Sequence, residues 1–241
     1  MIGHVRQQQI LTFLEQNKSA TVRELINLLH ASESSVRRDL EKLENEGLVR
    51  RVHGGVILSE YRNSVAPLSY RDAENYAIKD KLAQRAASLV HDGATILIDS
   101  SSTTWRIVKY LKSKRNLRII TNSLAVFKEL ENDGIEAYCT GGLFRVQTQD
   151  FVGHEAERYV RSVYADFLFF SSNAISIDGE ISDVSAEWTS LRRVMLTRAK
   201  RRVFVCDSTK IGDRRVFTLC TKDDVDDIIC DAPLPWESDE A

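Results

Sequence analysis

The chain has 241 residues, of which 43% are hydrophobic and 28% charged, with 33 Lys+Arg against 35 Asp+Glu for a formal net charge of −2. That length accommodates one small and one medium globular domain. The near-neutral balance excludes bulk attraction to DNA or membranes, so any affinity for nucleic acid must come from a locally basic surface, used in more than one copy. No apolar run approaches membrane-spanning length, and Met1 to Gln9 is too polar for a signal-peptide core; a cytoplasmic location and no membrane partner are expected. Cys139, Cys206, Cys220 and Cys230 lack C-x-x-C spacing. In a reducing compartment they are expected as core fillers, and neither a metal site nor a cofactor is predicted.

Arg6 to Glu15 carries Ile10, Leu11 and Leu14 on one helical face, and Thr21 to Leu29 carries Val22, Leu25, Ile26, Leu28 and Leu29. Thr21 with Glu24 fits a capping box, and His30-Ala31-Ser32 is the short break of a helix-turn-helix. In the third helix Val36, Leu40 and Leu43 form an apolar stripe. Ser32, Ser34, Ser35, Arg37, Arg38 and Lys42 project elsewhere, and Gly47 terminates the helix. Leu48 to Val52 and Val56 to Leu58 are β-prone runs joined across His53-Gly54-Gly55, a hairpin signal, and Arg50, Arg51 and His53 sit on it. The spacing predicts a winged helix-turn-helix over residues 1–58. Residues 1–58 hold eight Lys+Arg against seven Asp+Glu, so placement rather than net charge makes Thr21, Ser32, Ser34, Ser35, Arg37, Arg38, Lys42, Arg50, Arg51 and His53 the expected DNA-facing set. A plain helical bundle with solvated arginines is the competing reading.

Ser34-Ser35-Val36-Arg37-Arg38-Asp39-Leu40, Leu43-Glu44 and Gly47-Leu48-Val49-Arg50-Arg51-Val52-His53-Gly54-Gly55 together resemble the DeoR-type bacterial transcriptional regulators. Ser35 stands where the family pattern has threonine, which keeps the hydroxyl. The resemblance implies sequence-specific binding to double-stranded operator DNA, with repression as the family habit.

Patterning lapses from Ser59 to Asn75, the expected linker (59–75). Residues 76–241 then alternate. Helices are expected at Ala77–Val90, Thr103–Leu111, Ala125–Leu130, His154–Val163 and Ala186–Ala199, and strands at Ala94–Ile98, Leu117–Ile120, Ile135–Cys139, Phe167–Phe170, Val203–Cys206 and Asp227–Cys230. This is α/β, a mostly parallel sheet wrapped by helices, whose ligands sit beyond the carboxyl ends of the strands. Those ends carry Asp99-Ser100-Ser101-Ser102-Thr103-Thr104, Thr121-Asn122-Ser123, Gly141-Gly142, Ser171-Ser172-Asn173 and Asp207-Ser208-Thr209-Lys210. Hydroxyl residues opening helices suit phosphate, or act simply as caps; the glycines permit close backbone approach, and Lys210 suits an anion.

The same stations, with Asp150, Gly153, Asp178-Gly179 and Glu187, resemble the effector domain of the DeoR family, which is similar to sugar-phosphate isomerases. Ser101 stands where that family has glycine, and Ser102 where it has threonine. The resemblance implies a phosphorylated-sugar effector held by Asp99, Ser100, Ser101, Ser102, Thr103, Thr104, Thr121, Asn122, Ser123, Gly141, Gly142, Glu187 and Lys210. The Ser101 to Trp105 sequence looks closest to members that regulate deoxyhexose use. Three roles compete for the domain: a sensor, which is favoured; an active sugar-phosphate isomerase with Asp99, Glu187 and Lys210 as its chemical groups; and an oligomerisation platform. A homodimer or homotetramer assembled through this domain is expected.

Overall fold

A computed structural model describes residues 3–17, 19–52, 55–58, 65–131 and 133–240. The chain divides into two compact units, Met1–Ala73 and Glu74–Ala241.

The first unit runs α1 (Gly3–Asn17), β1 (Ser19–Thr21), α2 (Val22–Leu29), α3 (Glu33–Asn45), β2 (Val49–Val52), β3 (Gly55–Leu58) and α4 (Leu68–Ala73). The expected capping box is present: Glu24 N–H donates to Thr21 Oγ1 at 3.2 Å and Thr21 N–H to Glu24 Oε2 at 2.7 Å. Ile10, Leu11 and Leu14 of α1, Leu25 and Leu29 of α2, and Val36, Leu40 and Leu43 of α3 close one core over Val49 and Val56. β3 is central in a three-stranded sheet, paired with β2 and with β1, a strand the sequence reading lacked. A Cβ on Gly55 would stand 2.5 Å from the carbonyl oxygen of Ala20, so the β1–β3 approach requires glycine there. The stretch expected as linker contains α4, whose Tyr70 packs against this same core.

The second unit begins with α5 (Tyr76–Ser88), β4 (Thr95–Ile98), a 3₁₀ helix (Trp105–Tyr110), β5 (Arg118–Thr121), α6 (Leu124–Leu130) and β6 (Glu136–Cys139). It continues with β7 (Leu143–Arg145), β8 (Asp150–Val152), α7 (His154–Arg161), β9 (Ala165–Phe170), β10 (Ala174–Ile175), β11 (Glu180–Asp183), α8 (Ala186–Leu196), β12 (Ala199–Val205), β13 (Phe217–Thr221) and β14 (Asp227–Ile229). Six strands make a parallel sheet in the order β14-β12-β9-β4-β5-β6. Alternate side chains face opposite layers. Ile96, Ile98, Phe167 and Phe169 pack with Leu82, Ala86, Ile107 and Val126, while Leu97, Leu168 and Phe170 pack with Val160, Leu191 and Met195. The sequence reading lacked the antiparallel sheet β10-β11-β13 and the hairpin β7-β8.

Two expectations are corrected. The helix expected over Thr103–Leu111 is shortened to the 3₁₀ helix, whose N–H groups bond three residues back, Ile107 to Thr104 O at 3.0 Å and Leu111 to Val108 O at 3.1 Å. Cys139 is exposed on an edge strand rather than buried; the other three cysteines are buried and reduced.

Candidate functional site

Two groups of residues are assembled, one in each unit. In the first, Ser32 caps α3: its hydroxyl accepts from Ser35 N–H at 3.3 Å and lies 3.1 Å from Ser34 Oγ and 2.9 Å from Ser35 Oγ. Three hydroxyls thus ring the helix N-terminus, where uncompensated N–H groups favour a phosphate oxygen. Arg37, Arg38 and Lys42 are exposed. Arg37 pairs with Glu33 at 2.7 Å, one turn back, whereas Arg38 meets no carboxylate among the described residues. On β2, Arg50 and Arg51 are exposed, and Arg51 N–H donates to Glu44 Oε1 at 2.9 Å, tying the wing to α3. Thr21 is exposed but committed to its cap. His53 lies outside the described residues. The sequence reading gave no role to Asp39, which is 2% exposed on α3 and accepts from Arg6, and from Gln7 at 3.3 Å. This buried charge fixes α3 against α1.

In the second unit the carboxyl ends of β4, β5, β6, β9 and β12 converge, with the chain reversing between β4 and β9, the position where parallel sheets open a crevice. Ser100, Ser101, Ser102, Thr103, Thr104, Thr121, Asn122 and Ser123 are all buried there. Several serve the backbone. Thr121 Oγ1 donates to Ile98 O at 2.7 Å and accepts from Ser123 N–H at 3.0 Å; Ser101 Oγ and Thr104 Oγ1 bond each other at 2.7 Å. Asn122 Nδ2 reaches Ser100 Oγ at 3.2 Å and Phe151 O at 3.0 Å. Among these hydroxyl and amide side chains, Asn122 Oδ1 and Thr103 Oγ1 have no hydrogen-bond partner.

The charges differ from the expected pattern. Asp99, 1% exposed, accepts from Arg192 Nε at 2.6 Å, Ser171 N–H at 3.3 Å, Ser101 N–H at 3.2 Å and the Thr104 hydroxyl. Its carboxylate oxygens are thus engaged within the protein, anchoring the turn after β4 to β9 and α8. Arg192 also donates to Asp183 at 2.5 Å. Burial works against its charge, but the Asp99 and Asp183 carboxylates outweigh that and raise its pKa. Asp150, fully buried, gathers Thr148 Oγ1 at 2.6 Å, Ser100 Oγ at 3.1 Å, Arg145 Nε at 3.2 Å and Trp188 Nε1. Burial pushes its pKa up, and these donors, Arg145 foremost, hold it below the ordinary value.

Glu187 stands apart, its side chain 59% exposed, taking a hydrogen bond from Ser185 Oγ at 2.9 Å and lying 3.9 Å from Arg145. Gly142 opens no space for a ligand: a Cβ there would stand 2.6 Å from the carbonyl oxygen of Val152, while one on Gly141, at φ +67°, would meet nothing. Lys210 Nζ donates to Ser171 Oγ at 2.9 Å. A second cation, which the sequence reading missed, acts with it on Asp207. Lys79 of α5, 3% exposed, donates from Nζ to Ser102 Oγ at 3.3 Å. Burial raises the pKa of Asp207 beside them, but Lys210, Thr209 and Lys79 more than offset this and keep it low.

Among the described residues no group of three His, Cys, Asp or Glu side chains is placed to hold a metal ion, and no helix is long and apolar enough to cross a membrane. The profile of the DeoR-like helix-turn-helix domain matches residues 6–62, and that of the DeoR C terminal sensor domain matches residues 74–232. A putative aga operon transcriptional repressor from Escherichia coli O157:H7 is 31% identical over 97% of this chain and 88% of its own. The L-fucose operon activator of Haemophilus influenzae is 29% identical over 95% and 92%. Among solved structures, ribose 5-phosphate isomerase from Plasmodium falciparum is similar over 56% of this chain and 52% of its own, with 12% identity and a TM-score of 0.41. On the two domain matches and the length of the similarity, this chain belongs to the DeoR family of DNA-binding transcriptional regulators.

Proposed function

We propose that this regulator is a cytoplasmic repressor of a carbohydrate catabolic operon, whose grip on operator DNA is set by a phosphorylated sugar bound at the carboxyl ends of β4, β5 and β12. The observation that carries the reading is the pair of orphaned buried atoms, Asn122 Oδ1 and Thr103 Oγ1, in a hydroxyl-lined crevice flanked by the Lys79 and Lys210 ammonium groups. A buried acceptor without a partner costs about 1–3 kcal/mol, a cost that a ligand hydroxyl removes. Two ammonium groups beside serine hydroxyls suit a phosphate monoester. The dipole contribution is smaller than a long α-helix would give, because the turn after β4 leads into a six-residue 3₁₀ helix.

An isomerase is not favoured. Asp99 is saturated by donors and Glu187 lies out towards solvent, which leaves neither as a free general base beside the crevice. A sensor needs only that the ligand prefer one of two states of the protein. The similarity to an L-fucose operon activator and a putative aga operon repressor supports carbohydrate control, with a deoxyhexose-derived phosphate within the expected class. Operator reading falls to Arg37, Arg38 and Lys42 with the Ser32, Ser34 and Ser35 hydroxyls, and Arg50 and Arg51 position the wing. A homodimer or homotetramer supplies the second half-site contact that one nearly neutral domain lacks.

The test is a titration of the operator complex with hexose, pentose and deoxyhexose phosphates and with their unphosphorylated parents. One phosphorylated sugar is expected to change operator affinity at least tenfold while its parent sugar does not; a panel without effect, or an equal response to the parent, refutes the reading.

A further inference from the structure

Three buried thiols remain outside both sites, and two of them are neighbours. β12 and β14 pair in parallel with Val203 opposite Asp227, Phe204 opposite Ile228 and Val205 opposite Ile229. Continued by one residue, that register sets Cys206 beside Cys230, and Cys206 N–H donates to Ile229 O at 3.0 Å. Both side chains enter the same core layer. Adjacent strands lie about 4.8 Å apart, which falls inside the roughly 4.4–6.8 Å Cα separation that a disulfide spans.

We propose that Cys206 and Cys230 form a reversible dithiol site, oxidised to an intrachain disulfide by a peroxide. Cys230 is the attacking group. The neighbouring Cys206 thiol holds its pKa down at about 7 against the effect of burial, whereas Cys206 is pushed up by the neighbouring Cys230 and by burial. The Cys230 thiolate attacks one peroxide oxygen, the O–O bond breaks, and after protonation a sulfenic acid and one water result. The Cys206 sulfur then attacks the Cys230 sulfur, the S–O bond breaks, and the Cys206 proton leaves with the hydroxyl as a second water. Two thiols are oxidised by two electrons and hydrogen peroxide is reduced to two waters. A small dithiol reverses the reaction.

The bond lies at the root of a functional loop. Cys206 directly precedes Asp207, and Asp231, next to Cys230, accepts from Ser208 N–H at 2.7 Å and Ser208 Oγ at 3.0 Å. Lys210 follows in the same turn. The dithiol stands whether or not the crevice binds a sugar phosphate.

The test uses the full chain with the exposed Cys139 replaced, Cys139→Ser, which leaves three of the four cysteines. After hydrogen peroxide at a few equivalents, removal of the oxidant and denaturation, titratable thiols are expected to fall from three to one. A nonreducing digest is expected to yield a Cys206–Cys230 linked peptide, and dithiothreitol should restore all three thiols. Adding Cys230→Ser should leave the two remaining thiols titratable. If that variant misfolds, the peptide map of the single variant decides alone. A count that stays at three, or a linkage to Cys220 instead, overturns the proposal.

Discussion

Arg192 Nε lies 2.6 Å from Asp99 Oδ2, and both side chains are at least 95% buried. The same guanidinium bridges to Asp183, so one cation from α8 neutralises two carboxylates on different strand ends. Such a triad is costly to break on one side, because the charges left behind stay buried. Arg192→Ala is expected to destabilise the second unit by about 3–5 kcal/mol, and Asp99→Asn by less, since Arg192 keeps Asp183. Urea unfolding followed by tryptophan fluorescence measures both; an Arg192→Ala loss under about 1 kcal/mol, the range of an exposed pair, would show that the triad is not stabilising.

Operator binding should separate the two arginines of α3. Arg38 is exposed without an acidic partner among the described residues, whereas Arg37 must leave Glu33 to reach DNA. Arg38→Ala is expected to cost about 1–3 kcal/mol at the operator and to relax sequence preference. Glu33→Gln should strengthen binding to operator and unrelated DNA alike, by releasing Arg37 and removing a negative charge. Salt-dependent binding isotherms read both effects. Equal losses for Arg38→Ala on operator and random DNA would assign it to phosphate instead.

Thr21 offers a cleaner choice between capping and DNA contact. Its hydroxyl lies within the Thr21–Glu24 box, so Thr21→Ala should lower stability of the first unit by about 0.5–2 kcal/mol. Operator affinity of the folded fraction should stay within twofold of wild type. An affinity loss beyond tenfold with unchanged stability would restore Thr21 to the DNA-facing set.

Much of this was legible in the sequence where a period or a strand end carried it. Val36, Leu40 and Leu43 lie on the buried face of α3, and the hydroxyl stations after β4 and β5 fall together in one crevice. Long-range partners left no local trace. Lys79 sits in a helical pattern beside Ile78 and Leu82, where a lysine ordinarily faces water, yet tertiary packing buries it against Ser102. Arg192 is one of several charges along α8, and only the fold brings it 93 residues back to Asp99. β1 is three residues long and exists because Gly55 lets β3 approach Ala20. The hydroxyl of Thr121, expected at the ligand, is engaged by the backbone of Ile98 on the neighbouring β4 and of Ser123.

Acid sensitivity follows from Asp150, whose pKa is lowered in the folded state by Arg145, Thr148 and Trp188 in spite of burial. A carboxyl with a folded pKa below its unfolded value contributes stability above the unfolded value, lost as pH falls through the folded one. The unfolding midpoint should therefore be flat near neutral pH and drop below about pH 4, where unfolded aspartates begin to hold protons. Asp150→Asn should start lower and show a shallower acid slope. An unaltered slope would show that Asp150 is not among the groups driving the acid transition.

The crevice cations give the last prediction. Ser102 and Thr103 are buried, and Ser102 Oγ already faces Lys79 Nζ, so an acid placed on this turn would pair with Lys79 as readily as it would repel a phosphate. Lys210 is the better target, being half-exposed and hydrogen-bonded only to Ser171 among the described residues, while Thr209 and Lys79 remain to support the buried Asp207 carboxylate when it is truncated. Lys210→Ala should keep the operator affinity of wild type and lower the unfolding midpoint only modestly, through the weakened support of Asp207. A hydrogen bond to a charged group contributes about 1.5–3 kcal/mol, so the concentration of sugar phosphate giving half of the operator response should rise about 10- to 150-fold. Lys210→Arg should recover part of that loss, because charge is kept while geometry changes. Operator titrations against whichever phosphorylated sugar alters the wild type provide the measurement. Superimposable effector curves for wild type and Lys210→Ala would place the phosphate elsewhere in the domain.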